Sequence, residues 1–232
     1  MKVVVLQSNY LPWKGYFDLI HDADTFIFYD EVKYTKNDWR NRNKIYSKNG
    51  LQWLTIPIDK DAVKLKISEV QIKNTGWQQL HFDSLYFAYK RAPYFGQLEE
   101  LMTDFYKEKE WTHLSSLNQY TTRAISTYLQ ITTQFADSKN FTLREGRIER
   151  LVDVIIQAGG TKYISGPAAK DYLRNNENLF LENSVELIYK DYSGYREYAQ
   201  LCAPFENFVS IVDLIANINK DEISNYIWTR KT

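Results

Sequence analysis

The chain has 232 residues, of which 44% are hydrophobic and 25% are charged, so it contains enough apolar material to bury a sizeable core. Lys plus Arg and Asp plus Glu both total 29, and this zero net charge gives no overall field to attract nucleic acid or anionic lipid. No apolar run is long enough to cross a bilayer, and the single cysteine, Cys202, excludes an internal disulfide and a zinc site built on several thiolates. We therefore expect a cytoplasmic protein without membrane insertion and without a nucleic-acid partner.

The N-terminal region predicts two strands that each end in a polar loop. The β-branched run at 2–6 predicts a central strand followed by a loop at 7–13, and the apolar run at 26–29 predicts a second buried strand followed by Asp30 and Glu31. If the two strands are parallel neighbours joined by a short helix, both loops open at the carboxyl edge of the sheet. Ligands of open α/β sheets bind at that edge.

The segment 30–44 combines acids, cations, side-chain amides and aromatic rings, unlike an ordinary core element. Arg40 and Arg42 are two residues apart, so in an extended strand they share one face. The residues predicted on the other face are Trp39, Asn41 and Asn43. Two guanidinium groups on one face suit a phosphate or a carboxylate. The alternative is a solvated edge strand whose charges prevent aggregation.

The next part of the chain predicts a hairpin and then helices. Asn49 and Gly50 lie between two β-rich runs and predict a type I′ turn, because both residues tolerate a positive φ. The alternating residues 70–72 predict another strand. Apolar residues at three- and four-residue spacing then predict three helices within 76–130. The three histidines lie far apart in the sequence, so we predict no metal site.

The last third, 131–232, predicts a return to α/β structure, with short strands near 133–136, 163–164 and 185–189. Ser165 and Gly166 lie between a strand and a helix that starts with proline, so backbone N–H groups there are placed to bind an anion. An ordinary helix cap by Ser165 is the alternative.

The predicted fold class is therefore α/β, with α+β as the alternative, built on a mixed, mainly parallel central sheet with a β-hairpin and a three-helix insertion in the middle third. We predict one domain over 1–232, divided into an α/β part with the hairpin at 1–75, the helical insertion at 76–130 and the α/β return at 131–232.

Four segments resemble the WbqC-like protein family, which is found among genes for bacterial O-antigen and other surface polysaccharides. They are QSNYLPWKGYF at 7–17, FYDEV at 28–32, WRNRNKI at 39–45 and QWLTIP at 52–57, and weaker similarity continues at 163–166 and 210–214. The resemblance covers essentially the whole chain. It implies a role in surface-polysaccharide assembly, with transfer of an aminoacyl or acyl group, such as glycyl, to an amino sugar.

In that reaction Asp30 takes the proton from the attacking amine, and Glu31 is the second acidic candidate. The predicted substrate-binding residues are Gln7, Asn9, Tyr10, Trp13, Trp39, Arg40, Asn41, Arg42, Asn43, Ser165 and Gly166. The expected substrate is a sugar nucleotide or a carrier-linked sugar, and no cofactor is predicted. Aromatic residues make up 16% of the chain, which suits stacking against sugar rings, although core packing also uses them.

Two alternatives remain open at this point. The first is a noncatalytic protein that binds a sugar nucleotide or a glycan within the assembly pathway, and the second is nucleotidyl transfer. The sequence lacks a Gly-x-Gly-x-x-Gly motif after the first strand and a Walker lysine loop, which argues against a dinucleotide enzyme and a P-loop kinase.

Overall fold

The computed structural model describes residues 1–228, so the last four residues of the predicted segment 131–232 lie outside the described residues. The strands and helices in chain order are β1 (Lys2–Leu6), α1 (Lys14–His21), β2 (Thr25–Phe28), β3 (Arg42–Ser47), β4 (Gly50–Thr55), α2 (Trp77–Tyr89), α3 (Phe95–Tyr106), α4 (Leu114–Tyr128), β5 (Gln134–Asp137), α5 (Arg147–Gln157), β6 (Lys162–Ser165), α6 (Lys170–Leu173), α7 (Glu177–Glu182), β7 (Glu186–Tyr189), α8 (Ile211–Asn217) and α9 (Ser224–Ile227). Within this described part, none of the helices combines the length and the apolar character that crossing a membrane requires.

Five strands form a parallel sheet in the order β5-β2-β1-β6-β7. The predicted parallel pairing of the first two strands is confirmed, with Val3 opposite Thr25 and Leu6 opposite Phe28. β1 and β2 are short runs rich in β-branched and aromatic residues, as is typical of strands in a parallel sheet whose two faces are both covered. The α/β fold class is confirmed.

Helices cover both faces of the sheet, and alternate residues of each strand face opposite sides. Val4 and Phe28 belong to a core that includes α1, the three middle helices, the hairpin and α8. Val3 and Ile27 belong to a second core that includes α5, α6 and α7. The connections from β1 to β2 and from β2 to β5 cross the face of the first core. The connections from β5 to β6 and from β6 to β7 cross the face of the second core.

The hairpin and the three-helix insertion lie between β2 and β5, as predicted. The predicted turn type is wrong, however. The strand register pairs Ser47 with Gly50, so Lys48 and Asn49 are the central residues of the turn. A type I′ turn needs a positive φ at both of them. Gly50 at the end of the turn has a φ of +89°, while Asn49 is not in the left-handed region.

The strand predicted at 70–72 is also wrong. Ile72 and Gln71 each form an isolated bridge, to Ile58 and to His113 respectively. The residues are extended, but they pair one at a time with separate segments and build no ladder. A pattern of three alternating residues is too short to distinguish these two arrangements.

Candidate functional site

A cavity opens at the carboxyl edge of the sheet between β1 and β6. Chain connections leave these two neighbouring strands in opposite directions, and open α/β sheets bind their ligands at such a point. The cavity has a volume of about 210 Å³. Its lining residues with polar groups are Gln7, Tyr29, Arg147, Tyr163, Ser165, Gly166 and Tyr172.

Three of the predicted site residues, Gln7, Ser165 and Gly166, therefore line one cavity. Gln7 directly follows β1, and Ser165 ends β6, so the pairing of these strands brings them together although they are far apart in the sequence. The side chain of Ser165 is buried.

The sequence interpretation missed Tyr29, Arg147 and Tyr172. Tyr29 follows β2 directly and lies one residue before the predicted acids. Arg147 is the first residue of α5, and that helix starts at the carboxyl edge. A cation at a helix start after a glycine was a usable sequence signal, but nothing in the sequence related it to Gln7.

Arg147 gives the cavity its positive charge. It is the one charged side chain among the lining residues in the described part of the chain. Its guanidinium carbon lies 4.2 Å from the ring centroid of Tyr172, and this cation–π contact holds the exposed side chain at the mouth of the cavity. The N-terminal end of α5 adds partial positive charge at the same place. The arrangement favours an anionic ligand.

Tyr29 provides a hydroxyl on the cavity wall. Burial raises the pKa of this phenol, and the positive charges of Arg150 and Arg147, together with a hydrogen bond that Arg150 donates to the phenol oxygen, only partly offset the effect. The hydroxyl is therefore protonated at neutral pH and available to donate a hydrogen bond.

Asp30 is not among the residues that line the cavity. Its side chain is 1% exposed, and it accepts hydrogen bonds from the backbone N–H of Ser8 at 2.9 Å, the Ser115 hydroxyl at 2.6 Å and the Gln119 amide at 3.0 Å. Three donors and nearly complete burial keep this carboxylate out of contact with solvent. These contacts place Asp30 where it holds the loop after β1, and the proton transfer expected of it stays a prediction.

Glu31, the second predicted acid, is also engaged. Its carboxylate lies 2.9 Å from the Lys66 ammonium. Burial raises the pKa of Glu31, but hydrogen bonds from Lys66 and Ser68 and the nearby positive charges outweigh that effect, so the pKa is lowered. A base in this position is weak, and it is not among the residues that line the cavity.

Arg40 supports the same loop from the other side. It is 8% exposed, and its Nη1 donates to the backbone oxygens of Gln7 at 3.2 Å and Ser8 at 3.4 Å and to the side-chain oxygen of Asn9. Asp38 lies 3.4 Å from its Nη2. Arg40 and Asn9 are thus brought together as predicted. However, the Arg40 guanidinium binds the Asn9 side chain and the backbone oxygens of Gln7 and Ser8.

The predicted shared face of Arg40 and Arg42 is wrong, because β3 begins only at Arg42 and the alternation of an extended strand does not reach Arg40. Arg42 lies on the outer face of the hairpin, with its guanidinium carbon 4.4 Å from the ring centroid of Trp53. Trp39 stacks on the same Trp53 ring at 5.7 Å between centroids.

Three more of the predicted binding residues are buried structural groups. The Asn43 amide donates to the backbone oxygen of Leu11 at 2.7 Å, and the Asn41 amide donates to the backbone oxygen of Ile56 at 2.9 Å. Tyr10 is completely buried and hydrogen-bonded to His81. The side-chain amides in this segment predicted ligand binding from the sequence, but backbone oxygens of the loops accept their hydrogen bonds.

Trp13 belongs to an aromatic cluster beside the cavity. Its ring lies 5.1 Å from Tyr192, 6.0 Å from Tyr195 and 5.3 Å from Phe208, measured between centroids. A Cβ built on Gly166 would lie 3.6 Å from the Tyr192 hydroxyl, so the cluster adjoins the cavity wall. The long irregular connection from β7 to α8 supplies three of the four rings.

A buried ion cluster anchors the start of that connection. The Lys190 ammonium lies 2.8 Å from Asp18 and 2.7 Å from Asp22, and the Tyr195 hydroxyl donates to Asp18 at 2.8 Å. Ligand atoms of Asp18, Asp22 and His21 lie within 4.8 Å of one another, a spacing that a metal ion could bridge. The lysine supplies the positive charge at this position.

The fold and the cavity define an α/β protein with a cationic cavity, lined by hydroxyl groups, at the switch point of a parallel sheet. The chain belongs to the WbqC-like protein family, whose model matches residues 7–225. It is 44% identical over 221 residues to an uncharacterized protein of Mycobacterium tuberculosis, a match that covers 95% of each chain. No solved structure matches the chain.

Proposed function

We propose that the protein binds a sugar nucleotide, or a sugar linked through phosphate to a carrier, in the cavity between β1 and β6. The observation that carries this proposal is the position of Arg147 at the mouth of the cavity, opposite the loop of Gln7 and the end of β6 at Ser165. A guanidinium fork suits a phosphate oxygen pair. The hydroxyls of Tyr29 and Ser165 and the amide of Gln7 then meet the sugar.

The size of the cavity limits which part of the ligand it encloses. Its volume of about 210 Å³ is smaller than the roughly 300–1,000 Å³ of sites that enclose a drug-sized molecule. It therefore accommodates one sugar unit or a diphosphate, and the remainder of the ligand extends along the open edge. The aromatic cluster of Trp13 and Tyr192 adjoins that edge and offers a face for a base or a second ring.

The test is calorimetric titration with UDP-N-acetylglucosamine, UDP and inorganic phosphate. Arg147→Ala is expected to weaken UDP-N-acetylglucosamine about 10- to 100-fold, because one charged phosphate contact is worth about 1.4–3 kcal/mol. Arg147→Lys keeps the charge but loses the fork and the stacking on Tyr172, so an intermediate affinity is expected. Arg91→Ala is the matched control, since Arg91 is exposed and lies away from the cavity lining.

Two results contradict the proposal. One is that no compound in a panel of UDP-, GDP- and CMP-linked sugars raises the melting temperature of the protein. A ligand that binds the folded state must stabilise it. The other is an affinity that Arg147→Ala leaves unchanged.

A transferase that moves an aminoacyl or acyl group onto an amino sugar is the second candidate. It is favoured by the neutral hydroxyls of Tyr29, Ser165 and Tyr172 on the cavity lining, because such donors stabilise the oxyanion that forms when an amine attacks an acyl group. The new C–N bond forms as the bond from the acyl carbon to the donor breaks, and the amine proton passes to the leaving group.

This candidate is tested by incubating the protein with UDP-glucosamine and the model thioester S-glycyl-N-acetylcysteamine and measuring glycyl amide by mass spectrometry. Tyr29→Phe is expected to reduce kcat by a larger factor than it weakens the affinity for UDP-glucosamine, because the hydroxyl contacts the sugar in both states but stabilises the oxyanion only in the transition state. If glycyl amide forms no faster with the protein than without it, the transferase candidate is contradicted and ligand binding is the function of the cavity.

A further inference from the structure

The outer face of the β3–β4 hairpin carries a second concentration of aromatic and charged groups, separate from the cavity. Trp39 is 42% exposed and Trp53 is 43% exposed, and their rings stack with an interplanar angle of 30°. Exposed tryptophans are costly in water and are rarely paired without a reason. We refer to Trp39, Trp53, Arg42 and Lys44 as the hairpin surface.

Two cations lie on this aromatic platform. The Arg42 guanidinium is 4.4 Å and the Lys44 ammonium 5.2 Å from the ring centroid of Trp53. Neither has a carboxylate partner in the part of the chain that the structure describes, whereas the nearby Asp38 is occupied by Arg40 and Thr35. Arg42 Nη2 donates to the backbone oxygen of Asn37 at 2.6 Å, but this neutral acceptor does not cancel the charge, so the surface has positive charge available for an anion.

The hairpin is held firmly against the body of the protein. The backbone N–H of Ser210 donates to the Lys44 oxygen at 2.8 Å, and the backbone N–H of Tyr46 donates to the Tyr89 hydroxyl at 3.1 Å. The buried face of the hairpin adds Ile45 to the core. Because the strand is fixed, the rings and cations on its outer face are already arranged before a ligand binds.

We propose that the hairpin surface binds an anionic glycan, with a sugar ring packed on a tryptophan and a carboxylate or phosphate of the glycan bound by Arg42 and Lys44. The choice of a sugar as the ligand rests on the proposed function, whereas the surface itself is independent of the cavity. Protein interfaces are depleted in lysine, but here the Lys44 ammonium lies against the Trp53 ring. A nucleic acid would need phosphate contacts from more than two cations.

Arg40 connects this surface to the cavity. It donates to the backbone oxygen of Gln7, which lines the cavity, and its Nη2 lies 3.4 Å from Asp38, which accepts from the backbone N–H of Trp39. The two sites are thus on adjoining parts of the molecule. A glycan on the hairpin surface is placed to extend toward a sugar nucleotide in the cavity, as an acceptor would.

The experiment is titration of the full chain with hexagalacturonate, an anionic glycan, and with maltohexaose, its neutral counterpart, followed by tryptophan fluorescence and calorimetry. Hexagalacturonate is expected to bind about tenfold or more tightly than maltohexaose. Trp53→Ala is expected to raise its Kd about tenfold, because ring and cation contacts are lost together. Lys44→Glu keeps the ring and is expected to remove the preference for the anionic glycan.

Phe87→Ala is the matched control, since Phe87 is 69% exposed on α2 and has the Lys90 ammonium 4.9 Å from its ring centroid. It should leave both affinities unchanged. Equal weakening by Phe87→Ala, unchanged affinity in folded Trp53→Ala, or tighter binding of anionic phospholipid vesicles or single-stranded DNA by the same four residues would overturn the proposal. Arg147→Ala separates the two sites, because it should weaken UDP-N-acetylglucosamine and leave hexagalacturonate unchanged.

Discussion

Replacing Asp30 with Asn distinguishes a structural carboxylate from a catalytic one. In the native protein the carboxylate accepts from Ser8, Ser115 and Gln119 at 2.6–3.0 Å. An asparagine keeps one oxygen acceptor and turns the other position into a donor that faces a donor. Since the Ser8 N–H and the Gln119 amide approach different oxygens, one of them must lose its partner.

The magnitude follows from these contacts. A hydrogen bond to a charged group contributes about 1.5–3 kcal/mol, and a buried donor left without a partner costs about 1–3 kcal/mol more. Asp30 is 1% exposed, so water does not replace the lost contacts. We expect Asp30→Asn to lower the free energy of unfolding by about 3–5 kcal/mol, a large part of the roughly 5–15 kcal/mol typical of a whole protein.

Urea unfolding followed by circular dichroism measures this change, and Asp61→Asn is the control because the Asp61–Lys64 pair is 81% and 74% exposed. The control should change stability by less than about 0.5 kcal/mol. UDP-N-acetylglucosamine binding should persist wherever Asp30→Asn is folded. A variant with unchanged stability and orders of magnitude less glycyl transfer would refute the structural role and restore Asp30 as a base.

Two further predictions concern stability alone. Burial lowers the pKa of His81 from 6.5 to about 4, so the neutral ring that accepts from the Tyr10 hydroxyl contributes stability above pH 6.5, and this contribution is lost as the pH falls toward 4. The loss should reach about 3 kcal/mol in urea titrations, and the same pH dependence in His81→Gln would contradict the assignment. Gly160→Ala places a Cβ 2.9 Å from the backbone oxygen of Ile155, so we expect about 1–3 kcal/mol of destabilisation. Gly96→Ala has open space and should show none, and equal effects in thermal melts would exclude the steric explanation.

Local sequence patterns predicted the strands and helices well, because a few consecutive residues are enough to show which side of an element is buried or where a turn lies. The continuous apolar run of β2 predicted a strand buried on both sides, and the position of Gln7 after β1 predicted that it lies at the carboxyl edge of the sheet, where it lines the cavity. The turn type at Gly50 could not be predicted, because it depends on which residues pair across the hairpin. The isolated bridge at Gln71 depends in the same way on a distant partner.

The candidate site was predicted only in part because polar residues signal either a ligand or an internal partner. Asn43 and Arg40 have the chemistry of binding residues, yet backbone oxygens of the first loop accept their hydrogen bonds. Each loop leaves backbone groups that must be satisfied when it is buried. The sequence shows the side chains that can do so, but it does not show which loop lies against them.

Helix α4 explains why the site lies on the β1–β6 side of the sheet. Its Gln119 amide donates to Asp30 at 3.0 Å, at the end of β2, and to Asp137 at 3.1 Å, at the end of β5. The insertion between these two strands thus returns across their carboxyl ends and engages the acids there. Asn118 of the same helix reaches the loop after β1 at Ser8, with 3.5 Å between its amide nitrogen and the Ser8 hydroxyl. Gln7 and Ser165, at the ends of β1 and β6, still line the cavity. The insertion that buries Asp30 therefore leaves a part of the edge between β1 and β6 where Arg147 can meet a ligand.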